Sequence, residues 1–147
     1  MINIRSSVTQ TPHILLARDF HTTREEISAL PRLLEGIRAD YTLSDGQFFN
    51  LVVAMTEAVN NAIVHGNRLD PAKSVRYTLE ARAEGIYCVV EDEGDGFDPD
   101  DIADPVSPEN LMLEGGRGMF LIRALMGDLQ VTDTGHGTRV AFLCPKE

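Results

Sequence analysis

The chain has 147 residues, 43% apolar and 24% charged, the size and mix of one globular domain rather than of a disordered chain. At that length a core buries roughly 70% of the unfolded surface, so neither disulfides nor metal are required for stability. Thirteen Lys+Arg against 23 Asp+Glu leave a formal charge of −10, the opposite of what phosphate neutralisation demands, and direct DNA or RNA binding is not expected.

No apolar run approaches the ~20 residues of a membrane span, and Met1-Ile2-Asn3-Ile4-Arg5 lacks the basic-then-apolar form of a signal peptide. Cys88 and Cys144 sit in apolar stretches without metal-ligand spacing, which favours buried free thiols and a reducing, cytoplasmic setting. No repeat or linker divides the chain, so a single domain over 1–147 is expected.

Val8 to Phe20 reads as an extended segment centred on Ile14-Leu15-Leu16. Thr22 or Thr23 is a candidate N-cap, with Glu25 and Glu26 in the next turn of a helix running toward Asp40. Ile27, Leu30 and Leu34 share one side of it, and Pro31 should start, kink or shift it. Ser44 with Gln47 three residues on forms a capping-box pattern. Phe48, Leu51, Val52, Met55, Val59 and Ile63 then recur at helical spacing, and Gly66 offers a stop. Glu57 and Asn61 are four residues apart, facing the same way and away from the centre of that stripe. With the apolar face on a sheet, both side chains point out toward a ligand.

Beyond Asn67-Arg68-Leu69-Asp70-Pro71 the pattern changes to strands, Ser74 to Arg82 and Ile86 to Glu91, turning at Glu84-Gly85. A loop rich in Gly, Asp and Pro runs from Asp92 to Gly116, and Arg117 to Gly127 reads as a helix. Leu129 to Thr134 and Thr138 to Leu143 form a second hairpin around Gly135-His136-Gly137. This order predicts an α+β fold, a two-layer α/β sandwich whose mainly antiparallel sheet is covered on one face by helices.

Three clusters carry candidate chemistry: Glu57-Ala58-Val59-Asn60-Asn61-Ala62, Asp92-Glu93-Gly94-Asp95-Gly96-Phe97 and Gly115-Gly116-Arg117-Gly118. Singly, each has a bland reading as a solvated helix face, a turn, or a hinge and cap. Together they supply the parts of an ATP site without a Walker lysine. The Asn61 amide oxygen suits Mg²⁺, which takes one or two protein oxygens when phosphates supply the rest. Glu57 can accept a proton near the same phosphate. Asp92 can accept a hydrogen bond from an exocyclic amino group such as that of adenine, while Gly94 and Gly96 let a base approach the backbone. Gly116-Arg117-Gly118 exposes amides at a helix N-terminus, where phosphate is favoured.

On these residues the sequence resembles the GHKL ATP-binding superfamily, which includes histidine-kinase ATPase domains, gyrase B and MutL. Within it, the chain is most similar to anti-sigma-factor serine/threonine kinases of the RsbW and SpoIIAB type. Glu57 to Asn67 resembles their N box, Asp92 to Phe97 the first glycine box, Glu114 to Met119 with Phe120-Leu121-Ile122 the second, and Gly135 to Thr138 the terminal glycine-threonine element. The resemblance spans roughly residues 10 to 143. It implies a Bergerat-type fold using ATP and Mg²⁺, with Glu57 as catalytic base, Asn61 as Mg²⁺ ligand and Asp92 as adenine anchor. It also implies Gly94 and Gly96 beside the base, Thr138 on the adenine side, and Gly116, Arg117 and Gly118 at the phosphates. The implied partners are a sigma factor and a STAS-domain antagonist, the latter the phosphorylated substrate, and the implied assembly is a homodimer.

Glu57 stands where histidine kinases usually carry Asn, Val64 where they commonly carry Lys, and no phosphoacceptor hairpin is expected before the domain. A detached histidine-kinase domain is therefore the lesser alternative. A binding module that uses nucleotide without transferring phosphate is the other. The segment Asp98 to Glu114 is short for an ATP lid, holds prolines 99, 105 and 108, and is strongly acidic, so Mg²⁺ and Arg117 must offset its charge. An EF-hand reading of Glu91, Glu93 and Asp95 fails because Ile102 occupies the position that needs a bidentate Glu. The four histidines lack metal-ligand spacing, and no nucleophile elbow is present.

Overall fold

Strands form where side chains alternate. In the computed structural model, which describes residues 11–96 and 116–146, these are β1 (His13–His21), β2 (Ser74–Arg82), β3 (Gly85–Glu91), β4 (Gly127–Asp133) and β5 (Thr138–Pro145). They make one sheet in the order β1-β2-β3-β5-β4, with every neighbouring pair antiparallel. Val75, Tyr77, Leu79 and Ala81 of β2 are buried, while Arg76 between them is exposed. One face of the sheet therefore meets the helices, α1 (Glu25–Tyr41), α2 (Asp45–Asn60) and α3 (Gly116–Leu125). Leu30, Leu34, Leu51, Met55, Val59 and Ile122 from the helices interleave with Tyr77, Ile86 and Phe142 from the sheet. The result is the expected two-layer α+β sandwich.

The capping box forms as read: Gln47 N donates to Ser44 Oγ at 3.1 Å, and Ser44 N donates to Gln47 Oε1 at 2.9 Å. Ala54, Ala58 and Ala62 are buried alongside the larger stripe residues. They widen the apolar face because α2 packs on α1, α3 and the sheet at once, and short side chains let those neighbours approach.

The start of α1 meets expectation in part: Arg24 stands as its N-cap without a side-chain capping bond, but Thr23 Oγ1 accepts from Glu25 N at 3.3 Å. Thr22 is buried instead, and its hydroxyl donates to the Lys73 carbonyl at 2.8 Å, so it ties β1 to the approach of β2. The helix continues through Pro31, which is exposed. An interior proline costs roughly 3 kcal/mol, offset here by the full burial of Leu30 and Leu34 beside it.

The end of α2 also meets expectation in part. The helix stops at Gly66 as read, but its last turn, Asn61–Gly66, is π-helical, and Asn67 N donates to the Ala62 carbonyl at 2.8 Å. Arg68 and Leu69, with φ of 52° and 61°, reverse the chain afterwards.

Cys88 and Cys144 are buried and free. Burial pushes the Cys88 thiol well up and that of Cys144 to about 11, so neither is a thiolate nucleophile near neutral pH. Among the described residues no helix is long and apolar enough to cross a membrane. The expected lid, Asp98 to Glu114, lies outside the described residues.

Candidate functional site

Glu57, in the last turn of α2, and Asn61, the first residue of the π-helical turn, are both half-buried. They do not stand clear on an open helix face. They meet the first turn of α3: a Cβ on Gly118 would lie 2.7 Å from Glu57 Oε2 and 3.0 Å from Asn61 Nδ2. A side chain at 118 would have to push the Glu57 carboxylate and Asn61 amide aside. Gly116 and Arg117 lie in the same turn, whose backbone N–H groups lack intrahelical partners and favour an anion. Asn61 Nδ2 is buried with no hydrogen-bond partner among the described residues, an unmet polar group facing the start of α3. Among those residues no cluster of three or more His, Cys, Asp or Glu can hold a metal. A hard cation at this spot would rest on the Asn61 amide oxygen and take its remaining oxygens from a ligand, the arrangement Mg²⁺ prefers.

The second half of the site is built around Asp92. Its backbone N–H donates to the Thr138 carbonyl at 3.0 Å, and its Oδ1 accepts from Gly94 N at 2.9 Å and Thr138 N at 3.0 Å. Burial pushes the carboxyl up from its ordinary value, while the two backbone N–H groups and nearby Lys73 pull it back down. Gly96, at φ 72°, turns the chain beside Asp133. Asp92, Gly94 and Thr138 are thus brought together at the ends of β3 and β5, and Glu57, Asn61 and Gly118 at α2 and α3. The π-helical turn joins the two groups, with Asn61 at one end and Gly66 at the other.

Gly66 ends the helix and also meets Asp92. A Cβ there would lie 2.1 Å from Asp92 Oδ2, and one on Gly94 would lie 2.0 Å from the Gly66 carbonyl oxygen. Asp92 cannot retreat without losing the two amides bound to Oδ1. Gly66→Ala should cost about 1–3 kcal/mol, as overpacking does. A thermal melt should show a Tm lower by several degrees; an unchanged Tm would contradict this packing.

Asn67 is fully buried and holds this corner together. Its Nδ2 donates to Thr22 Oγ1 and to the Ser74 carbonyl, both at 2.9 Å, and its Oδ1 accepts from Glu93 N at 2.8 Å. Nothing in the periodicity marks it, because an Asn after a glycine at a helix end reads as a turn residue. A groove of about 410 Å³ opens beside the same corner, lined by Ser74, Arg76, Glu91, Asp92 and Thr134 among others. It reaches Asp92 but none of Glu57, Asn61 or Gly118.

An antiparallel five-stranded sheet roofed on one face by helices is the α+β architecture of the histidine kinase-like ATPase class. Residues 20–143 match the histidine kinase-like ATPase domain family, and the chain belongs to it. It is 29% identical over 113 residues to serine-protein kinase RsbW of Bacillus licheniformis, covering 73% of this chain and 71% of that protein. A second Bacillus licheniformis RsbW, from strain ATCC 14580, is 33% identical over 117 residues, with 73% and 71% covered. Serine-protein kinase RsbW of Staphylococcus aureus strain MRSA252 is 31% identical over 116 residues, with 73% and 72% covered.

Proposed function

We propose that residues 1–147 are a single ATP-dependent serine/threonine protein kinase domain that acts as an anti-sigma factor in the cytoplasm. The substrate is a serine of a STAS-type antagonist, the second partner is a sigma factor, and the working form is a homodimer. The observation that carries the reading is the meeting of Glu57 and Asn61 with Gly118 at the start of α3. Similarity to proteins named serine-protein kinase supports it.

Mg²⁺-ATP would supply the phosphoryl group passed to the serine oxygen, leaving ADP, and the cation would offset part of the phosphate charge. Glu57 takes the proton of the attacking hydroxyl, as a general base within reach of the phosphate does. Asn61 offers its amide oxygen to the cation, and the amides at the start of α3 take phosphate oxygens. Asp92, fixed by the Gly94 and Thr138 amides, presents its other oxygen to the adenine amino group, with Gly94, Gly96 and Thr138 bordering the base.

Binding is tested by melting. ATP with Mg²⁺ at 100 times its Kd should add about 2.7 kcal/mol by mass action, a clear rise in Tm that GTP does not match. Transfer is tested with [γ-³²P]ATP and a candidate STAS protein, where label on a serine is the expected result. Nucleotide binding with no label on any STAS protein would leave a binding module instead. No Tm shift at millimolar ATP would remove the site altogether.

A further inference from the structure

We infer that Asn67 is a positioning residue for nucleotide: it sets the height of the Asp92–Gly94 turn against the π-helical turn through the one hydrogen bond from the Glu93 amide. This rests on the reading of Asp92 as the base-recognising carboxylate.

Four observations lead there. Asn67 is one of two buried polar residues among those described, and it is completely inaccessible. Its three side-chain bonds join segments distant in sequence: the β1–α1 junction through Thr22, the first residue of β2 through Ser74, and the turn after β3 through Glu93. Its own backbone N–H closes the π-helical turn on Ala62. The Glu93 amide adjoins Asp92, whose side chain sits on Gly66, the residue before Asn67. One side chain thereby clamps the two strands of chain that must touch at Gly66 and Gly94.

The division of labour within the side chain makes this testable. The Nδ2 donors hold Thr22 and the Ser74 carbonyl, and reach the Asp92 turn only indirectly, through the bond from Ser74 N to the Glu93 carboxylate. The Oδ1 acceptor holds the Asp92 turn directly. Losing Nδ2 should lower stability, whereas losing Oδ1 should also lower nucleotide affinity. A buried group left without its partner is the cost in either case.

The experiment compares four proteins, wild type, Asn67→Ala, Asn67→Asp and Thr22→Val, by thermal melts, by titration with Mg²⁺-ATP, and by hydrogen exchange of the Gly94 and Thr138 amides without nucleotide. Asn67→Asp keeps the oxygen that receives the Glu93 amide and loses both donors. Thr22→Val removes one acceptor of Nδ2. Both should melt several degrees lower while binding ATP within about threefold of wild type. Asn67→Ala should weaken ATP at least tenfold and expose the Gly94 and Thr138 amides to faster exchange. Asn67→Ser, whose hydroxyl is too short to reach the Glu93 amide, replaces alanine where alanine does not fold. In an Asp92→Asn background the further loss from Asn67→Ala should largely vanish, because both changes act through the same contact. Equal ATP affinity in Asn67→Ala and wild type, or equal loss in Asn67→Ala and Thr22→Val, would overturn the positioning role while leaving the proposed function intact. A wild-type chain that binds no ATP would overturn both.

Discussion

Replacing Glu57 by Gln should leave ATP binding intact and reduce phosphotransfer by about 10²–10⁴, the usual loss when general-base help is removed. The amide has the shape of the carboxylate, so the fit against Gly118, where a Cβ would come within 2.7 Å of Glu57 Oε2, is retained. What changes is the capacity to take a proton, together with one negative charge beside the phosphates. Affinity for ATP should hold or rise, and binding of the sigma-like partner should survive. Titration and single-turnover transfer from [γ-³²P]ATP, run on the same preparation, separate these effects. Normal turnover in Glu57→Gln would remove Glu57 from its role.

Asp92→Asn should do the reverse, lowering nucleotide affinity at least tenfold and transfer with it. The fold should be spared, because an amide oxygen can still accept from Gly94 N and Thr138 N at the place where Oδ1 stands. The other oxygen becomes an NH₂ group facing the adenine amino group, donor against donor, and an unpaired buried donor costs about 1–3 kcal/mol. The pH behaviour provides an independent check. Burial raises the Asp92 carboxyl above its ordinary 3.8 in the fold, so between that value and the folded one the native state holds more protons than the unfolded state. Stability from this group therefore falls as pH rises through that window and is constant above it. Asp92→Asn should abolish that dependence, and at neutral pH the nucleotide-free variant should melt no lower than wild type. A variant with unchanged ATP affinity would contradict the assignment.

The regular elements were legible because each rests on a local signal. Ser44 and Gln47 mark the start of α2 on their own, and the alternation of Val75, Tyr77 and Leu79 needs no knowledge of the neighbouring strands. The candidate residues were legible as clusters, and the fold brings Asp92 to Thr138 and Glu57 to Gly118. What escaped was set by contacts between distant segments. Thr22 looked like a cap because threonine before a helix usually is one, yet it bonds Lys73, 51 residues on. Gly66 was legible as the helix stop it is, but its contact with Asp92, which also requires the missing side chain, was not. Asn67 was legible only as the last residue of the N-box resemblance, not by its role, since its partners Thr22, Ser74 and Glu93 become neighbours only after the sheet forms.

The π-helical turn Asn61–Gly66 acts as a phase shifter. A π turn carries one residue more than the α-helical turn it replaces, so everything after it is rotated by about 100° relative to a straight continuation. That rotation lets one helix serve two masters: Asn61 stays in register with Glu57 and addresses α3, while Gly66 is swung onto Asp92. A sequence that healed into regular α geometry would gain better hydrogen bonds and lose this aim. The least regular turn of the helix is thus the one on which the alignment of the site depends.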